Sequence, residues 1–128
     1  MGQDVVTAAV VQRPPVLLDR DETIKIVVDA VSEVASAGAG LAVFPETFVP
    51  GYPVWIWGLR PQSDYDTTSE IHAQLLANSV DLTGDDLRPV QEAAASHGWS
   101  WSAACTNVRA RSAARPSTTR WSRSAATG

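Results

Sequence analysis

At 128 residues the chain is one domain at most, long enough to bury a core yet short for an α/β enzyme. Its single cysteine, Cys105, excludes an intramolecular disulfide and a multi-cysteine metal site, and no run of eighteen apolar residues exists to span a membrane. Charge is divided sharply: residues 1–98 carry five positive and fourteen negative side chains, a net of −9, whereas residues 99–128 carry five arginines and no acid, a net of +5.

The N-terminus has no basic stretch followed by an apolar one, so the expectation is a soluble, cytoplasmic protein. Val5-Val6-Thr7-Ala8-Ala9-Val10-Val11-Gln12 is a nearly continuous apolar, β-branched run closed by Arg13-Pro14-Pro15, which predicts a buried strand. A helix follows, with Asp19 or Asp21 placed to cap it and Ile24, Val27, Val28, Val31, Val34 and Ala35 at helical spacing. Gly38 and Gly40 close it, and Leu41-Ala42-Val43-Phe44 is a second buried strand. Strand, helix and strand at this spacing predict a right-handed parallel crossover, hence an α/β fold.

In open α/β sheets, sites gather beyond the carboxyl ends of the strands. There the chain reads Phe44-Pro45-Glu46-Thr47-Phe48-Val49-Pro50-Gly51-Tyr52-Pro53. A carboxylate directly after a buried strand, between Pro45 and Phe48, is expected to be held rigidly and partly dried, which raises its pKa towards that of a general base. From the residues alone, a loop carboxylate that caps the next helix or pairs with an arginine outweighs that reading, because perturbed carboxylates also occur in structural networks.

Phe44-Pro45-Glu46 with Pro50-Gly51-Tyr52-Pro53 resembles the glutamate motif of the nitrilase, or carbon–nitrogen hydrolase, superfamily. Ala8-Ala9-Val10-Val11-Gln12 and the Gly38-Ala39 pair before the second strand are similar to that family's pattern too. The resemblance covers about residues 5–98. It implies that this part is the N-terminal portion of an αββα sandwich and that Glu46 is the general base of a Glu–Lys–Cys triad. The cysteine would attack a nitrile or amide carbon, with no metal or organic cofactor. It further implies a small-molecule nitrile or amide substrate, no nucleic-acid or membrane partner, and a homo-oligomer at full length.

Val54-Trp55-Ile56-Trp57-Gly58-Leu59 is aromatic and apolar and resembles the true nitrilase branch more than the amidase branches. Tyr52 and Trp55 are thereby candidate substrate-binding residues that wall an apolar pocket; a buried helical turn or a subunit contact would use the same residues. After Pro61 the chain is polar and reads as loop, followed by a helix with Ile71, Leu75, Leu76 and Val80 apolar. His72 on that helix reads as a surface or packing residue. A further helix begins near Asp85 or Asp86, accepts Pro89 in its first turn, turns Leu87, Val90 and Ala94 inward, and ends at His97-Gly98.

A third strand is expected next and does not come. Twenty-two of residues 99–128 are Ala, Ser, Arg or Thr, with no Ile or Leu. A basic, tryptophan-bearing arm for nucleic acid or a disordered tail would suit that composition. Translation out of frame explains more. Taking the last base of each codon with the first two of the next, Trp99 to Ala104 permits Val-Val-Val-Val-Cys-Gly, the missing strand. Ser117 to Gly128 permits Leu-Tyr-Asn-Thr-Val-Val-Thr-Ile-Gly-Arg-Asp-Gly, which resembles the family's next strand pair. The chain is therefore divided into a partial nitrilase-like domain, 1–98, and an irregular, frameshifted tail, 99–128. Lys25, the only lysine, and Cys105 match no motif position of the family, so this polypeptide is expected to be inactive. Bare apolar faces are expected to make it poorly soluble. An amidase of the same superfamily and a noncatalytic interaction module are the other function classes considered.

Overall fold

The computed structural model of the chain describes residues 5–99 apart from Pro61 and Thr83. Along the chain these form β1 (Ala8–Val10), α1 (Arg20–Ser36), β2 (Leu41–Val43), a 3-10 turn (Val54–Trp57), α2 (Tyr65–Ala77) and α3 (Arg88–Ser96). Residues 100–128, and with them Cys105 and nearly all of the basic segment, lie outside the described residues.

Helix α1 starts where the sequence places a cap. Asp19 is extended, and its Oδ1 accepts the backbone N–H of Glu22 at 3.0 Å. Asp21 and Glu22 add negative charge to the first turn, where the helix dipole favours it. At the other end Gly38 takes a φ of +83°, and the N–H groups of Gly38 and Ala39 reach back to the carbonyls of Ala35 (2.9 Å) and Val34 (3.2 Å). This Schellman closure recurs after α3. There Gly98 at φ +68° and Trp99 bond back to Ala95 and Ala94. Gly40 does not cap α1; its N–H donates to the Thr7 carbonyl at 2.9 Å and opens the strand ladder instead.

The two strands pair in parallel, Ala8 opposite Leu41, Ala9 opposite Ala42 and Val10 opposite Val43, and Val11 N–H extends the ladder to the Val43 carbonyl at 2.8 Å. The expectation of buried strands is corrected here. Val10 is 69% exposed, and Leu41 and Val43 are exposed as well, because β1 and β2 make a sheet of two strands, with α1 packed against β2. A parallel sheet normally has both faces covered; among the described residues nothing covers the second one.

The core lies between the helices. Ile24, Val27 and Val31 of α1 meet Phe48, Val80, Leu87 and Val90. Leu87, Val90 and Ala94 are buried as the helical spacing requires, with Pro89 in the first turn of α3. Helix α2 begins earlier than its polar composition suggests. Asp64 accepts the Arg60 N–H at 2.7 Å and closes a turn that launches the helix at Tyr65, so Asp66, Thr67 and Thr68 are helical and not loop. Val80, expected on that helix, lies beyond its end at Ala77 and is fully buried in the connection to α3. No helix among the described residues is long and apolar enough to cross a membrane.

One half-buried ion pair ties this arrangement together. Arg20 Nη1 donates to Asp86 Oδ2 at 2.9 Å, and the same oxygen accepts the Asp81 N–H at 2.8 Å. Arg20 Nε also donates to Asp21 at 2.8 Å. The hydrogen bond to Asp21, followed by the charge of Asp86, raises the Arg20 pKa above its already high ordinary value. Its contribution is therefore fully present below that ordinary value and fades only as pH climbs through the raised one. Replacing Arg20 by methionine keeps the aliphatic stem and removes the charge beside Asp86. The expected loss is about 1–2 kcal/mol, because a half-buried acceptor loses a charged donor; a urea midpoint equal to the parent's would show that the pair contributes nothing.

Candidate active site

The segment that leaves β2 is shaped by two unusual backbone positions. Glu46–Pro50 form a turn in which Thr47 has a φ of +58°, and Gly51 follows at φ +108°. Phe48 drops into the core with its ring 5.5 Å from that of Phe44, the planes tilted by 52°. The outer side of the turn rests on the loop before α1. Leu18 N–H donates to the Pro50 carbonyl at 3.0 Å, and that loop is itself held by buried Thr23, whose hydroxyl donates to the Val16 carbonyl at 3.0 Å and accepts the Val16 N–H at 3.1 Å. A Cβ built on Gly51 would stand 2.8 Å from Leu17 Cδ1. Gly51→Ala thus meets both an unfavourable φ and a contact, and is expected to cost about 1–3 kcal/mol. A thermal melt checks this; an unchanged midpoint would mean that the turn relaxes freely.

Glu46 stands at the carboxyl end of β2, where the topology places a site, but its environment corrects one expectation. The residue is exposed and has no hydrogen-bond or ion-pair partner among the described residues. It is not dried by Pro45 and Phe48, because Phe48 turns inward and takes the core side of the turn with it. Neither a capping nor an arginine-pairing role is seen for it.

Tyr52 is 44% exposed on the loop that leads into the 3-10 turn. Trp55 is half-buried, with its ring edge-on to His72 of α2, centroids 6.2 Å apart, and its Nε1 is buried without a partner. Trp57, by contrast, is 80% exposed, and Val54 and Ile56 are exposed beside it. No hydrogen bond or ring contact joins Glu46, Tyr52 and Trp55 to one another among the described residues; they share one continuous segment beyond β2. His72 behaves as the surface residue expected, its Nδ1 within 3.0 Å of the Thr68 carbonyl.

Lys25 lies on the exposed face of α1 and pairs with Glu22 at 2.5 Å. The hydrogen bond to Glu22 raises its pKa, so it holds its proton more firmly than a free lysine, the wrong direction for a catalytic base. Among the described residues no group of three or more His, Cys, Asp or Glu is placed to hold a metal ion. The residue the sequence did not single out is Thr47, which is buried with its hydroxyl unpartnered directly after Glu46. Nothing in composition or spacing marks a β-branched residue for left-handed backbone.

The family model described as Carbon-nitrogen hydrolase matches residues 7–121. The chain is 46% identical over 74 residues to a Nitrilase of Bacillus sp. (strain OxB-1), covering 58% of this chain and 21% of that protein. It is 38% identical over 90 residues to an Arylacetonitrilase of Aspergillus kawachii, covering 70% and 26%. It is 39% identical over 90 residues to an Aliphatic nitrilase of Rhodococcus rhodochrous, covering 70% and 22%. The chain thus spans about a quarter of the length of these curated relatives.

Proposed function

Since the chain belongs to the carbon–nitrogen hydrolase family, we propose that it is the front end of a nitrilase in which Glu46 is the general base of a Glu–Lys–Cys triad. The observation that carries this is the position of Glu46. It lies just past the second strand of a parallel β–α–β unit, after Phe44 and Pro45, on a turn pinned by Phe48 and Gly51, inside the segment matched by the family model. Exposure of the carboxylate suits a group that must reach a partner from a later part of the fold. The described β–α–β unit is, on this reading, one corner of an αββα sandwich, and the bare sheet face is where further strands and layers pack.

The proposed reaction converts a nitrile and two waters to a carboxylic acid and ammonia. Glu46 takes the thiol proton, the thiolate adds to the nitrile carbon, and a thioimidate forms. Water then adds and ammonia leaves, giving a thioester, and a second water releases the acid and restores the thiol. Tyr52 and Trp55 would line the pocket that takes the substrate's side chain, and the full-length protein would be a cytoplasmic homo-oligomer without nucleic-acid or membrane partners.

These 128 residues supply the glutamate but neither a lysine nor a cysteine at a motif position, and residues 99–128 read as frameshifted. The family match extends to residue 121 and so takes in part of that segment. Sequencing the encoding DNA from before codon 98 to well past codon 128 decides between the readings. A one-base shift is expected to open a long frame with a lysine and a later cysteine in family-like motifs. Early stops in the other frames would mean that the basic segment is genuine and would turn the assignment towards a binding role. Substrate assay of the restored chain separates nitrilase from amidase.

A further inference from the structure

Alternation fails at one place in the segment that leaves β2. An extended chain turns residues i, i+2 and i+4 to the same side, which would place Phe44, Glu46 and Phe48 together against the core. Phe44 packs on the core cluster and Phe48 is buried in it, yet Glu46 between them is exposed, and Thr47 is the buried residue at 3% exposure. The reversal falls where the chain enters the Glu46–Pro50 turn, and Thr47, its second residue, has a left-handed φ of +58°. That conformation is costly for a β-branched residue, which crowds its own backbone there. Thr47 carries a second cost, because its hydroxyl is buried and bonded to nothing. Glycine or asparagine would adopt the same φ cheaply, and valine would fill the same space without an orphaned hydroxyl. A residue that is expensive twice over persists where its surroundings hold it and where the strain serves a site.

We propose that Thr47 is a positioning residue for Glu46: its left-handed backbone, locked by burial of its side chain, turns the carboxylate out of the core and fixes the direction in which it projects. The inference rests on the reading of Glu46 as the general base. Thr47 itself touches nothing that reacts.

The test uses the 128-residue chain and needs no turnover. Backbone order parameters at Glu46 are measured by NMR in the parent and in Thr47→Ser, Thr47→Val and Thr47→Gly, alongside thermal melts. Thr47→Gly frees φ and is expected to drop the Glu46 order parameter from about 0.85 to below about 0.6 while the helices keep theirs. Thr47→Ser and Thr47→Val should hold Glu46 as the parent does. Thr47→Val, which removes the orphaned hydroxyl, should also melt higher, by up to about 4–8 °C. In a turnover-competent longer chain, Thr47→Gly should lower kcat about tenfold with KM within about twofold, and Thr47→Ser should restore it. Unchanged order at Glu46 in Thr47→Gly would overturn the proposal, as would loosening of Glu46 by Thr47→Val or a lower melting point for that variant. If Thr47→Val does not fold, Thr47→Ser against Thr47→Gly still decides. Because order is read without catalysis, failure of the nitrilase assignment leaves this result standing, and the reverse also holds.

Discussion

Replacing Phe48 by alanine is expected to abolish cooperative folding of the described domain. Phe48 is 6% exposed and belongs to the cluster that joins Ile24, Val27 and Val31 of α1 to Val80, Leu87 and Val90. Truncating a buried phenylalanine costs about 3–5 kcal/mol through lost transfer energy and the cavity left behind. A domain of this size has roughly 5–15 kcal/mol to lose, and this one starts low, since one face of its sheet is uncovered and Val10, Leu41 and Val43 are exposed. The same substitution unpins the turn that carries Glu46, since Phe48 is the anchor on its core side. Urea unfolding followed by circular dichroism checks this. A clear, parent-like transition in Phe48→Ala would show that the turn is draped over the helices and does not hold them together. Leu76, exposed on the outer face of α2, is the matched control; its truncation should leave the midpoint nearly unmoved.

What the sequence disclosed follows from which forces are local. The cap at Asp19, the apolar stripe of α1 and the inward set Leu87, Val90 and Ala94 each depend on residues three or four apart, so each is visible in spacing. The parallel pairing was legible because a strand, a helix of this length and a second strand have few other ways to connect. Burial was not, because it depends on what lies over an element. The apolar run around Val10 reads as buried, yet its second face is bare among the described residues. Polar residues 64–68 read as loop, yet a single hydrogen bond from Arg60 N–H to Asp64 closes the turn that starts α2 there. The position of Glu46 beyond the second strand was readable from topology and from its motif. Its exposure was not, because Glu46 opens a turn in which Thr47 is left-handed, and threonine is a residue type that gives no local warning of that backbone.

The larger functional effect concerns turnover. Purified 128-residue chain is expected to release no ammonia from an aromatic, arylacetic or aliphatic nitrile, although it folds the segment that holds Glu46. A general base acts only on a proton it can reach, and its contribution of about 10²–10⁴ in rate presupposes a nucleophile to deprotonate. Here the one lysine is tied to Glu22 on the outer face of α1, and no thiol is found among the described residues. If shifting the frame by one base near codon 98 yields a longer chain that hydrolyses nitriles, Glu46→Gln in that chain should lower kcat by about 10²–10⁴. The isosteric amide keeps the turn and the hydrogen-bonding reach while removing the basic oxygen, so KM and melting temperature should change little. Tyr52→Phe and Trp55→Ala, which alter the proposed pocket and not the proton transfer, should instead raise KM in proportion to the bulk removed. Ammonia release by the 128-residue chain itself would overturn the triad assignment outright. A longer chain whose Glu46→Gln variant keeps full kcat would leave the family assignment intact and move the base elsewhere. A fall of kcat by about 10²–10⁴ with unaltered KM is the pattern expected when an interaction made only in the transition state is removed, and its size separates loss of the base itself from the roughly tenfold effect of loosening its turn.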